Sequence, residues 1–232
     1  MQHNLARVRE CTPGAKVWGV VKANAYGHGL ERGMRGFAAA DGLALIETEN
    51  AVRLRELGWT GPVLLLEGIF DASDAALLSK YAFNSAVHCE EQIAILEQAT
   101  FERPIDVHLK MNTGMNRLGF RPDQFRAAFQ RLRAIPAVRE ITLMTHFANA
   151  DELEHPRLTV REQVRRFCTG AEGIAGPRSL SNSGGVLHQA DLAAELSNDW
   201  VRPGIMLYGG TPGGKPAADV GLRPTMTLSS EI

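Results

Sequence analysis

Two lysines, two arginines and two small-residue loops carry most of the chemical potential of this sequence. Lys22 ends the apolar run Val17-Trp18-Gly19-Val20-Val21. Where a strand leaves a low-dielectric interior, burial favours the neutral amine, which is nucleophilic and able to form a Schiff base with an aldehyde. The plainer alternative is a strand-end lysine whose head reaches water. Ala25-Tyr26-Gly27-His28-Gly29 then supplies a turn whose glycines allow close backbone approach to a ligand. Ser181-Asn182-Ser183-Gly184-Gly185 reads as a loop opening a helix, where free N–H groups and the hydroxyl of Ser183 suit a phosphate. A helix cap without any ligand is the alternative. Val201-Arg202-Pro203-Gly204-Ile205 adds a second small-residue turn.

The guanidinium of Arg202 stays protonated and only donates hydrogen bonds, so it suits a ring nitrogen, a carboxylate or a rim salt bridge. Lys110 and Arg117, seven residues apart, flank the loop Met111-Asn112-Thr113-Gly114-Met115-Asn116 and call for an anion between them unless they are solvated apart. His146 closes an apolar strand, which suits binding better than catalysis, and a satisfied core histidine is the plain alternative. The other six of the seven histidines make no HExxH or comparable spacing, so no metal site is expected. Arg161, Arg165 and Arg166 share one helical stretch and read as a solvated face.

The elements that must position these residues follow from periodicity. β-rich runs at 16–21, 42–46, 62–66, 83–87, 105–110, 139–145, 178–181 and 199–202 alternate with amphipathic stretches such as 50–57, 90–99, 123–132 and 161–174. Eight such units predict an α/β fold, a TIM-type (β/α)8 barrel. The carboxyl ends of its strands form one mouth, which gathers Lys22, Tyr26, Lys110, Arg117, His146, Asn182, Ser183, Arg202 and Gly204.

Composition sets the outer bounds. With 44% hydrophobic and 22% charged residues among 232, the chain is an ordinary globular one, long enough for a single large barrel. Lys plus Arg number 25 against 26 Asp plus Glu, a balance that provides no field for a nucleic acid. Cys11, Cys89 and Cys168 form no CxxC, which fits a reducing, cytoplasmic setting, and no apolar run approaches the roughly 20 residues of a membrane span. Residues 1–223 are expected to be the barrel. Thr225-Met226-Thr227-Leu228 alternates like a strand, so residues 224–232 are expected to begin a following domain cut away from this chain.

Val20-Val21-Lys22-Ala23-Asn24-Ala25-Tyr26-Gly27-His28-Gly29 resembles the pyridoxal-phosphate attachment motif of bacterial alanine racemases. Further matches follow in the family's order: His108-Leu109-Lys110-Met111-Asn112-Thr113-Gly114-Met115-Asn116-Arg117-Leu118-Gly119, Thr145-His146-Phe147-Ala148, Ser181-Asn182-Ser183, and Val201-Arg202-Pro203-Gly204-Ile205-Met206-Leu207-Tyr208-Gly209. The resemblance implies that Lys22 carries pyridoxal 5'-phosphate covalently and later acts as base on one face of the α-carbon of alanine. It implies that Tyr26, Ser183, Gly204 and Ile205 hold the phosphate, with Asn182 beside them. His146 is implied to contact the ring and Arg202 to donate to its nitrogen. Arg117 is implied to reach the phenolic oxygen and the substrate carboxylate, and Lys110 becomes a candidate for carbamylation.

The resemblance implies that the domain begun by residues 224–232 is a carboxyl-terminal β-domain, and the family places its second base, a tyrosine, in that domain of the partner subunit of a homodimer. Neither Tyr81 nor Tyr208 matches that position, so this chain alone is expected to hold the cofactor weakly and to racemise little. The implied activity of the whole enzyme is interconversion of L- and D-alanine for peptidoglycan supply. Two other readings stand beside it: a free-standing barrel that carries pyridoxal phosphate without turnover, and a plain barrel acting on an unrelated aldehyde or ketone at Lys22.

Overall fold

The computed structural model describes residues 1–192, 194 and 196–231. Eight parallel strands close into a barrel in chain order: β1 (Lys16–Val20), β2 (Gly42–Leu45), β3 (Val63–Leu65), β4 (Phe83–Val87), β5 (Ile105–Lys110), β6 (Val138–Met144), β7 (Arg178–Ser179) and β8 (Trp200–Val201). Closure is made by β1, which pairs with β2 on one edge and with β8 on the other, Lys16 lying opposite Trp200 and Val17 opposite Val201. The expected (β/α)8 architecture is the observed one. β4 and β5 keep their expected limits, whereas β7 and β8 shrink to two residues each. The residues beyond them leave the ladder for the loops of the mouth.

Strand parity sorts side chains into two layers. Val17, Leu43, Leu65, Val107 and Leu109 join the large core beneath the helices, while Trp18, Val20, Ala44 and Leu64 pack inside the barrel. Trp18 stacks on Trp200 with centroids 4.3 Å apart and meets His108 edge-on at 5.7 Å, filling the barrel interior below the mouth. Gly42 admits that indole, since a Cβ there would lie 2.3 Å from the Trp18 ring. Outside, the helix Pro122–Ala134 buries Phe125, Ala128 and Leu132, and the helix Val160–Gly170 buries Val160, Val164 and Phe167. Each inward set keeps the three- and four-residue spacing of a helix covering a sheet.

The strand expected from residue 224 onward is not formed. Residues 222–231 adopt no regular structure, and Ile232 lies outside the described residues. A ladder needs a neighbour, and with Met226 54% and Leu228 96% exposed the described residues offer none. Asn4 pins the start of this segment instead, its Oδ1 accepting from Arg223 N and its Nδ2 donating to Arg223 O, both at 2.8 Å. Among the described residues no helix is long and apolar enough to cross a membrane.

Candidate active site

β1 stops at Val20, and the chain then makes one unusual turn, Lys22–Tyr26. Ala23, Asn24, Ala25 and Tyr26 take φ of 51°, 54°, 55° and 53°, the left-handed region that costs L-residues about 1–2 kcal/mol each. Four successive non-glycine residues persist there only because their surroundings over-determine them. Ala25 N donates to Val21 O at 2.9 Å and Gly29 N to Asn24 O at 2.9 Å. Asn24 Oδ1 accepts from Leu30 N at 2.8 Å, and Ala23 N donates to Glu47 Oε1 at 3.1 Å. Gly33 lets the next helix close on the turn, since a Cβ there would lie 2.5 Å from that of Ala25. The turn leaves Lys22 and Tyr26 facing one cavity. Lys22 stands just past the end of β1, as expected, but is half-buried rather than enclosed.

The cavity, about 320 Å³, opens at the carboxyl ends of the strands and is lined by every site residue singled out in the sequence: Lys22, Tyr26, Lys110, Arg117, His146, Asn182, Ser183, Arg202, Gly204 and Ile205. One flank is built from neutral groups. Ser183 Oγ accepts from Gly204 N at 3.0 Å and Met206 N at 3.4 Å, which leaves its own O–H free to donate. The Tyr26 hydroxyl lies over Gly204, where a Cβ would approach it to 2.2 Å. Asn182 caps the short helix Ser183–Leu187 by accepting from Gly185 N at 3.1 Å, and its Nδ2 lies 3.3 Å from His146 Nε2.

The opposite flank is cationic. Arg202 is 3% exposed; its Nη1 donates to Ser179 O and Oγ, both at 2.6 Å, and its Nη2 to Thr145 O. Its Nε has no acceptor among the described residues. Burial pushes the guanidinium down to about 9, so at neutral pH it remains charged. Lys110 is 4% exposed, and burial, followed by Arg202 and Arg117, lowers its amine to about 8. The same burial and cations hold His146 neutral, well below the usual imidazole range. Arg117 rides on the loop after β5, which Asn112 Oδ1 folds by accepting from Gly114 N and Asn116 N at 3.1 Å. Gly119 returns the loop at φ 122°, where a Cβ would meet Asn112 N at 2.7 Å. Arg166 Nη1 steadies the loop by donating to Thr113 O at 3.3 Å, while Arg165 and Arg166 both pair with Glu162. That basic cluster is therefore partly structural.

Among the described residues Lys22, Lys110, Arg117 and Arg202 form no ion pair, so these cations leave the cavity with an excess of positive charge suited to an anionic ligand. Two carboxylates that line it, Glu67 and Asp151, went unnoticed in the sequence. Glu67 directly follows the apolar run 62–66, and the rule that chemistry gathers at the carboxyl ends of barrel strands marks that position. Among the described residues no cluster of three His, Cys, Asp or Glu could hold a metal.

Comparison with known proteins matches residues 1–212 to the family model described as alanine racemase, N-terminal domain. A curated alanine racemase from Janthinobacterium sp. (strain Marseille) is 58% identical over 233 residues, covering the whole of this chain and 64% of that protein. One from Polaromonas sp. is 52% identical and is covered over 63% of its length. This chain thus spans less than two thirds of these relatives. Among solved structures, biosynthetic alanine racemase from Pseudomonas aeruginosa superposes with a TM-score of 0.88 at 42% identity, over 96% of this chain and 61% of that one. Alanine racemase from Acinetobacter baumannii gives 0.86 at 33% identity, over 96% of this chain and 62% of that one. With its fold and its sequence in agreement, the chain belongs to the alanine racemase family, through that family's N-terminal domain.

Proposed function

We infer that this chain is the cofactor-binding barrel of a pyridoxal-phosphate-dependent racemase that interconverts L- and D-alanine. The observation that carries the reading is the convergence of a lysine amine, a neutral cradle and an uncompensated buried guanidinium on one cavity. The donor set fits the cofactor: Tyr26, Ser183, Gly204 and Ile205 would hold its phosphate, and the unpartnered Arg202 Nε would face its ring nitrogen. When bound, pyridoxal phosphate supplies an electron-withdrawing ring that acidifies the α-proton of an amino acid held at its aldehyde carbon.

The residues divide the remaining work. Lys22 would hold the aldehyde carbon through Nζ and, as a free amine, would be the base for the α-proton on its own face. Arg202 would offer its protons to the ring nitrogen as a hydrogen-bond donor without giving one up, which would moderate the electron withdrawal the cofactor supplies and favour return of a proton to the α-carbon. Arg117 binds the substrate carboxylate, and neutral His146 packs beside the ring. Lys110, whose amine titrates near 8, is suited to carbamylation, which would set a carboxylate beside Arg117.

Inversion also requires a proton on the opposite face. Tyr208 is spent on Val20 O at 2.9 Å and Tyr81 stacks on Phe83, so neither serves. These 232 residues alone are expected to racemise little, the second group coming from the partner subunit in a homodimer of the longer protein. The test is incubation with pyridoxal phosphate and L-alanine in deuterium oxide. Slow α-deuteration with little D-alanine is the expected result. A chain that binds the cofactor yet exchanges no α-proton would instead be a carrier barrel, and the reading would fall.

A further inference from the structure

Tyr26 is held from behind by groups that the proposed chemistry does not use. Its ring stacks on Tyr208 with centroids 4.7 Å apart, and Tyr208 is itself fixed by its hydroxyl donating to Val20 O and by the edge of Phe37 at 5.3 Å. His28 lies 4.8 Å from Tyr208, centroid to centroid, with Nδ1 3.0 Å from Ala25 O and 3.2 Å from Tyr26 O. Its Nε2 is 2.8 Å from Thr225 Oγ1. Thr225 N donates to Tyr208 O at 3.2 Å, and the single hydroxyl proton of Thr225 is shared between Tyr208 O at 3.1 Å and His28 Nε2. Thr225 belongs to the segment beyond the barrel that Asn4 pins through Arg223. A continuous bracket therefore runs from that segment through His28 and Tyr208 to the Tyr26 ring, whose hydroxyl covers Gly204.

We propose that Thr225 is a positioning residue for Tyr26, so that the seating of residues 223–226 against His28 and Tyr208 sets how tightly the cavity holds a phosphate group. This rests on the reading that Tyr26 is a phosphate ligand. The geometry gives it physical content: a hydroxyl aimed from a stacked ring is only as well placed as the ring beneath it, and Tyr208 is held at its backbone carbonyl by Thr225 and at its ring by its hydroxyl donating to Val20 O. Movement of the segment would loosen the Tyr26 hydroxyl while leaving Lys22 and Arg202, which belong to other contacts, where they are.

The experiment compares the unaltered chain, Thr225→Val and Thr225→Ser by two readouts. In the first, 3-fluorotyrosine is incorporated; Tyr26, Tyr81 and Tyr208 give a three-line fluorine NMR spectrum that single Tyr→Phe changes assign. Thr225→Val is expected to move the Tyr26 and Tyr208 lines, and Thr225→Ser to leave them in place. In the second, pyridoxal phosphate and phosphate-free pyridoxal are titrated by absorbance. Thr225→Val is expected to weaken pyridoxal phosphate about fivefold, the scale of one neutral hydrogen bond, with pyridoxal unchanged and Thr225→Ser restoring the loss. An unmoved Tyr26 line, or equal weakening of both aldehydes, would overturn the proposal. Equal affinity of the unaltered chain for the two aldehydes would overturn the phosphate reading itself, a failure visible without any variant.

Discussion

The two flanks of the cavity handle polarity in opposite ways. Around Tyr26, Ser183 and Gly204 the donors are neutral, and the turn that presents Tyr26 is strained but tied down by hydrogen bonds to Val21, Leu30 and Glu47. Around Lys110, Arg117 and Arg202 the donors are charged, and among the described residues no carboxylate pairs with them. The first flank is preorganised before any ligand arrives. The second stores an electrostatic demand that an anionic ligand relieves. Similar charge does not mean similar role within that flank, because Arg202 satisfies buried carbonyls whereas Lys110 satisfies nothing comparable.

Removing each charge should therefore give opposite signs. Arg202→Ala strands Ser179 O and Thr145 O and opens a hole in the barrel interior, and is expected to destabilise the chain by about 3–4 kcal/mol in urea unfolding. Lys110→Met is expected to stabilise it at pH 7, by on the order of 3 kcal/mol for an amine lowered from 10.5 to about 8. The sign follows from linkage: between about 8 and 10.5 the unfolded chain binds the proton that the folded chain has released, so stability rises with pH across that window. Lys110→Met should flatten this rise; an unchanged pH slope would mean that Lys110 is not the group responsible. On the neutral flank the expected change is smaller. Asn24→Ala loses the bond to Leu30 N and places a less tolerant residue at φ 54°, which should cost about 1–2 kcal/mol and lower the melting temperature.

The barrel was legible because eight apolar runs alternate with amphipathic stretches, and the mouth was legible because strand ends are where barrel chemistry gathers. The lysines show where that reasoning stops. The run 17–21 made Lys22 look enclosed, yet nothing in Ala23-Asn24-Ala25-Tyr26 beyond the tolerance of asparagine for positive φ signals a left-handed turn. Lys110 is the enclosed amine, and strand parity could have said so, since it shares the inward face of β5 with buried His108. Asp151 escaped because an isolated carboxylate in a loop carries no pattern, whereas Glu67 stands where the strand-end rule points. The alternation at 225–228 suggested a strand, but a strand exists only with a partner to pair with.

On the proposed function Lys22, rather than the more deeply buried Lys110, is the residue that anchors the cofactor. The direct measurement is borohydride reduction after adding pyridoxal phosphate, with peptide mapping of the unaltered chain and of Lys22→Ala. A label on Lys22 that vanishes in the variant without reappearing on Lys110 is the expected result; a label on Lys110, or one that survives Lys22→Ala, would overturn the assignment.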